Sequence, residues 1–215
     1  MVAAVDAKTE ELRDAHDVLA DFYVTYLDGQ LEADPIERSM LDLFAEQVRS
    51  SGRLDVADVG CGTGRLLPYL ASRGLTPRGI DLSPGMVEVA RRDHPGFDVQ
   101  VGDLWNLPFT DGELAGVVCW YSLIFLAPDT RAAAFTELAR VIRPGGFLVT
   151  AFKNGDGSPR RGGRSTNLGV EFDTYWLSAA EMQARFTTAG LTTVFLGHRP
   201  FNPVPAGYLL TQKTP

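Results

Sequence analysis

Residues 56–67 read VADVGCGTGRLL. Val56 to Gly60 alternates and branches like the end of a buried strand. Glycines then fall at every second position (Gly60, Gly62, Gly64), and Arg65 to Leu70 opens like a helix. A strand that breaks into a glycine turn and passes into a helix gathers backbone N–H groups at a helix N-terminus, where nothing inside the helix satisfies them. Glycine tolerates positive φ and has no Cβ to hold a ligand away from the main chain. A small molecule is therefore expected against this turn.

Working outward, the same rhythm repeats. A strand over 54–59 leads to a helix over 64–73. A strand over 76–82 is followed by a helix to Arg92, with Ser83 as cap and Pro84 in its first position. Residues 97–101 form a short strand, and Leu114 to Tyr121 (LAGVVCWY) is an apolar run of the kind found inside a parallel sheet. Asp129 is expected to cap a helix that Pro144-Gly145-Gly146 stops near Arg143, and 147–153 is another buried strand. Strands alternating with helices imply a parallel sheet with right-handed crossovers and helices on both faces.

Beyond Lys153 the pattern lapses. Asn154 to Gly169 (NGDGSPRRGGRSTNLG) is rich in Gly, Ser and Arg, and a loop that long is expected to act as a lid or binding segment, or else to be disordered. Order returns at 170–177. Ser178-Ala-Ala-Glu181 spells a capping box for a helix that Gly190 ends. Residues 191–196 and 208–212 read as two strands joined through Pro200, Pro203 and Pro205. Upstream, residues 9–28 and 35–50 carry apolar stripes at helical spacing, the second opened by Asp34 as cap and Pro35 in the first turn. The expectation is an α/β fold in a single domain over 1–215, with 9–51 as a helical cap and 154–177 as a lid or substrate insertion.

Composition narrows the function. The 215 residues are 45% hydrophobic and carry a formal net charge of −7, which argues against broad electrostatic binding of nucleic acid or anionic membrane. No apolar run reaches the length of a membrane span, and MVAAVDAKTEEL lacks a basic start and apolar block, so a cytoplasmic location is expected. Cys61 and Cys119 sit in apolar strand-end contexts without metal-ligand spacing and read as buried thiols; no metal is expected.

Two ligand classes compete for a glycine-rich strand–helix turn. A dinucleotide wants GxGxxG, so that its pyrophosphate can rest on the helix end. Here the third glycine comes one residue early, at Gly64, and Arg65 stands where that fingerprint needs a small residue. With Asp58 ahead of the turn, the spelling suits a ligand that presents an amino-acid head.

DVGCGTG (58–64), IDLSPGMVEVAR (80–91), GDLWNLPF (102–109) and LARVIRPGGFLVTAF (138–152) together resemble, in order and spacing, the successive motifs of class I S-adenosylmethionine-dependent methyltransferases. The resemblance covers about residues 16 to 212. It implies a doubly wound, mostly parallel seven-stranded sheet in the order 3-2-1-4-5-7-6 with the last strand antiparallel, and methyl transfer to an O, N or S atom of a small molecule. By that resemblance Asp81 accepts from the ribose hydroxyls and Asp103 from the adenine amino group. The N–H of Leu104 meets the ring, and Leu82 and Met86 pack its faces. Gly60, Cys61, Gly62 and Gly102 bring bare backbone to the cofactor, while Asp58 orders the turn or reaches the amino group.

The pattern His16-Asp17-x-x-Ala20-x-x-Tyr23 is similar to a family motif that lays Tyr23 over the methionine end, although His16 stands where relatives more often carry Tyr. Trp120 and Tyr121 end the fourth strand and are expected to border the methyl group. Relatives often place a histidine shortly afterwards; LIFL (123–126) offers Phe125 instead, so no dedicated base stands there. Tyr121 and His198 are the remaining catalytic candidates. His16, Tyr121, Phe125 and Tyr175 are the candidate substrate contacts, and catalysis is expected to rest on proximity and desolvation. A binding protein that performs no transfer, and an NAD-dependent oxidoreductase, remain as alternatives. The assembly is expected to be a monomer or homodimer.

Overall fold

The computed structural model describes residues 7–199 and 204–214; the Pro200 and Pro203 portion of the last connection lies outside them. Seven strands form one sheet: β1 (Asp55–Val59), β2 (Thr76–Asp81), β3 (Val99–Val101), β4 (Leu114–Trp120), β5 (Ile142–Lys153), β8 (Leu191–Arg199) and β9 (Ala206–Lys213). Their order is β3-β2-β1-β4-β5-β9-β8. The first five pair in parallel, and β9 runs antiparallel between β5 and β8. This is the expected order once β6 (Pro159–Gly162) and β7 (Phe172–Tyr175), which form a separate antiparallel hairpin, take their own numbers.

Strand alternation divides the core between two faces. Val56 and Val118 meet Met40, Phe44 and Val48 of helix α3 (Pro35–Ser50) on one side. Their neighbours Ala57 and Val117 meet Phe135 and Leu138 of α6 (Arg131–Val141) and Phe186 of α7 (Ala179–Thr188) on the other. β4 is buried along its whole length, as its unbroken apolar run requires. The helix starts follow from local chemistry. Asp34 accepts the N–H groups of Ile36 and Glu37 to open α3, and Ser83 accepts that of Met86 to open α5 (Pro84–Asp93).

Four local expectations are corrected. The helix after the glycine turn, α4, spans only Leu67–Ser72. α6 starts after Thr130 with no side-chain cap, so Asp129 does not close it. Pro144-Gly145-Gly146 falls inside β5: Leu114 pairs with Ile142 and Gly116 with Phe147, so four residues bulge opposite one, with Gly145 at φ 76°. At α7 half of the capping box forms. Ser178 accepts the Glu181 N–H, but the Glu181 carboxylate turns to Arg131 and Arg185, where two guanidiniums outcompete one backbone donor.

The long loop after Lys153 folds into the β6–β7 hairpin. Arg161 reaches Glu11 and Asp173, and Lys8 also reaches Asp173, tying the hairpin to α1 (Ala7–Leu27). Among the described residues no helix is long and apolar enough to cross a membrane, and no three His, Cys, Asp or Glu side chains gather as a metal would require.

Candidate active site

A cavity of about 900 Å³ opens at the carboxyl ends of β1, β2, β4 and β5, beneath α1, the start of α3 and the β6–β7 hairpin. This is the switch-point crevice where open α/β sheets bind ligands, and its volume lies at the upper end of small-molecule sites. Gly60, Gly62 and Gly64 all have positive φ, as the turn requires. Gly60 has a second constraint: a Cβ there would lie 2.3 Å from that of Ser122, whose hydroxyl donates to the Val59 carbonyl.

Four N–H groups of the turn are already bonded. Gly60 and Cys61 N–H both donate to the Ile80 carbonyl, Gly64 N–H to that of Cys61, and Gly62 N–H to Asp81 Oδ2 at 2.7 Å. The other Asp81 oxygen accepts from Ser83 N–H at 2.9 Å. These four donors are not offered to a pyrophosphate, and a carboxylate stands among them. The expected nest of N–H groups is therefore replaced by a turn locked onto the end of β2, and recognition passes to side chains. Burial raises the Asp81 pKa, against the two backbone donors that favour its charge.

Asp58 sits deeper. It is 1% exposed, it lines the cavity, and neither oxygen has a hydrogen-bond partner. Burial pushes its carboxyl up to about 7; the nearby Arg65 acts in the opposite sense. A buried carboxyl with nothing to bond is costly unless a ligand completes it. Asp58 therefore does not order the turn; its free oxygens suit an ammonium group. Arg65, which the sequence reading used only as an argument against a dinucleotide, lines the same end and suits a carboxylate.

Leu82, Met86, Gly102, Asp103 and Leu104 line the wall beyond Asp81, and one Asp103 oxygen accepts from the Trp105 N–H. α1 lies across this wall because Asp17 accepts from Gly85 N–H at 2.8 Å and from the Ser83 hydroxyl. A Cβ on Gly85 would come within 3.0 Å of the Asp17 backbone, so the close approach needs glycine. The docking carries His16 and Tyr23 over the cavity, their rings stacked 5.9 Å apart. His16 Nδ1 lies 2.8 Å from the Leu12 carbonyl and donates to it, which leaves Nε2 as the acceptor; burial lowers the ring's pKa. The Tyr23 hydroxyl is pushed up to about 12 by burial.

At the end of β4, Trp120 Nε1 and the Tyr121 hydroxyl donate to the two oxygens of Glu37, at 3.1 and 2.7 Å. Tyr121 is one of two non-glycine residues described with positive φ, 58°, which turns its ring into the cavity. Glu37 lies 83 residues from Trp120 and went unnoticed in the sequence, where a glutamate in the first turn of a helix has an ordinary explanation. Replacing Glu37 with Ala should leave both donors unpaired. We expect a loss of roughly 2–4 kcal/mol, seen as a melting temperature lower by about 5–12 °C.

Residues 56–146 match the family model described as a methyltransferase domain. Over this stretch the chain is similar to methyltransferase domains. Among curated methyltransferases, it is 35% identical over 121 residues to malonyl-(acyl-carrier protein) O-methyltransferase of Pectobacterium atrosepticum, covering 51% of this chain and 47% of that protein. It is 31% identical over 148 residues to demethylmenaquinone methyltransferase of Beutenbergia cavernae, covering 65% and 59%. The chain thus spans about half the length of these relatives. Magnesium protoporphyrin IX methyltransferase from Synechocystis PCC 6803, solved with bound S-adenosylmethionine, shares the fold over the full length of both chains at a TM-score of 0.71 and 20% identity.

Within this methyltransferase fold two candidate residues are corrected. Tyr175 faces the core, 3% exposed, with the Arg131 guanidinium over its ring at 4.9 Å; its neighbours Thr174 and Trp176 line the cavity instead. His198 points outward from β8, and Arg199 beside it enters the cavity. Both errors are one residue of strand phase, which inverts the face a side chain reaches. Phe125 does reach the cavity, edge-on to His16 at 4.9 Å. Cys61 also lines it, its thiol pKa raised by burial. Lys153 and Arg199 are cavity residues that the sequence reading missed.

Proposed function

We propose that the chain transfers the methyl group of S-adenosylmethionine to an O, N or S atom of a small molecule. One observation carries this reading: the unpartnered, buried Asp58 carboxyl shares a crevice with the ribose-ready carboxylate of Asp81 and with Asp103. Asp81 can accept from two ribose hydroxyls with its remaining lone pairs, Asp103 from the adenine amino group, and Leu82 and Met86 can hold the ring between apolar walls. Asp58 and Arg65 then answer the two charges of an amino-acid head. When bound, the cofactor supplies an electrophilic methyl group on a sulfonium sulfur.

The chain's contribution to the reaction is placement. Tyr23, Trp120 and Tyr121 wall the region between the cofactor wall and the acceptor end, and α1 with the β6–β7 hairpin excludes water from above. Orientation of that kind is worth roughly 7–11 kcal/mol of a bimolecular barrier. His16 Nε2, held neutral with a free lone pair, can take a proton from the acceptor as the bond forms. Calorimetry with S-adenosylhomocysteine and NADH side by side tests the binding, with only the former expected to bind. Incubation of a metabolite extract with methyl-labelled donor tests the transfer: one labelled small molecule is expected, and label appearing in none would refute it.

A further inference from the structure

The charges at the acceptor end of the cavity do not balance. Both carboxylates there are engaged: Glu37 holds Trp120 and Tyr121, and Asp34 caps α3 while pairing with Arg199. The cations are less fully used. Lys153 ends β5 and pairs in register with Ala206, which pairs in turn with Arg199. Lys153 and Arg199 therefore leave the same face of the sheet on either side of a methyl group, and all three residues line the cavity. Lys153 is partly buried and makes no hydrogen bond or ion pair among the described residues, and burial alone lowers its pKa. Lining the same cavity, the Arg160 guanidinium lies 4.0 Å above the Trp176 ring, without an ion pair among the described residues. Its neighbours Arg161 and Arg164 are occupied by Glu11, Glu171 and Asp173.

A partly desolvated ammonium with no counter-charge is unfavourable in the empty cavity and becomes favourable when an anion fills the space beside it. The planar guanidinium–indole pair offers a second cation and an aromatic surface together. We propose that the methyl acceptor is an anionic aromatic molecule, its carboxylate or similar acid group seated on Lys153 and its ring system against Trp176 and Arg160. This rests on the methyl-transfer reading and divides the cavity that reading describes into a cofactor part and an acid-binding part.

Two dyes separate the possibilities. 1-Anilinonaphthalene-8-sulfonate and N-phenyl-1-naphthylamine share one skeleton and differ in the acid group. Titrated by fluorescence into protein saturated with S-adenosylhomocysteine, the sulfonate should bind at least about tenfold more tightly. Lys153→Met should abolish that preference while leaving the neutral dye and S-adenosylhomocysteine affinity within about twofold, which also shows that the variant folds. Arg160→Gln should remove part of it. Equal binding of the two dyes, or a preference that survives Lys153→Met, would overturn the proposal. Failure of S-adenosylhomocysteine to bind would instead overturn the cofactor reading, and the dye comparison on the protein alone would still decide the role of Lys153.

Discussion

Replacing Asp58 with Asn should stabilise the ligand-free protein at pH 8 and, in the same variant, weaken S-adenosylhomocysteine binding at least about thirtyfold. The two effects have one origin. Burial holds the Asp58 carboxyl at about 7, against 3.8 for an ordinary aspartate. Between those values the folded chain keeps a proton that the unfolded chain has lost. Stability is therefore greatest below about pH 4, falls as pH rises, and has lost the whole contribution above about pH 7. The shift corresponds to roughly 4 kcal/mol. Asn mimics the protonated acid, so melting temperatures should agree below about pH 4, differ part-way at pH 5 and diverge fully at pH 8, with the variant higher by the equivalent of about 2–4 kcal/mol. An ammonium group reverses the balance, because it needs the ionised form. Binding at pH 6 should accordingly release about one proton, read by calorimetry in two buffers of different ionisation heat. Parallel pH profiles for the two proteins, or unchanged affinity, would refute the role given to Asp58.

The residues that were legible in the sequence are those whose task is local. GxGxG after an apolar strand, Asp81 at a strand end, Ser83-Pro84 and Asp34-Pro35 at helix starts each depend on a few neighbours, and each stands where its spacing placed it. Residues that meet across the fold left no such trace. Glu37 answers donors more than 80 residues away, and Lys153 and Arg199 become neighbours only because β9 slots between β5 and β8. Tyr175 and His198 were drawn to the right strands and the wrong faces. Nothing in the alternation of FDTYW or LGHR fixes the phase until the partner strand does. The Arg-rich segment 159–164 carried no alternation at all, since Arg161 and Arg164 are held by ion pairs to Glu11, Glu171 and Asp173, and the hairpin's apolar contacts come from Phe172 and Tyr175 of β7.

These long-range contacts give the cavity its division of charge. Carboxylates with spare acceptor capacity gather at the β1–β2 end, and Lys153, without a counter-charge among the described residues, stands at the end of β5. The Glu37–Trp120–Tyr121 cluster lies between them and is internally satisfied. A ligand spanning the whole cavity would need a cationic amine and hydroxyl donors at one end and an acid at the other. Two ligands meeting near Tyr121 satisfy that pattern more simply, and a group-transfer reaction requires such a meeting.

Asp81→Ala should lower S-adenosylhomocysteine affinity about a hundredfold or more. Two charge-assisted bonds to ribose hydroxyls are worth roughly 1.5–3 kcal/mol each, and 1.4 kcal/mol is a decade of affinity. The substitution also strips the acceptor from Gly62 and Ser83 N–H, which loosens the turn that Asp81 fastens. Asp81→Asn, which keeps an acceptor for one of those donors, should fall between the variant and the native protein. A truncated ligand separates this residue from Asp58. Methylthioadenosine retains the ribose and adenine but lacks the amino-acid head, so its affinity should collapse in Asp81→Ala and stay within about twofold of native in Asp58→Asn at pH 6, where Asp58 is largely protonated in both free and bound protein. If Asp58→Asn weakens both ligands equally, the carboxylate supports the fold of the crevice and not the ammonium. If Asp81→Ala spares methylthioadenosine, the ribose lies elsewhere and the assignment of the whole nucleoside wall fails with it.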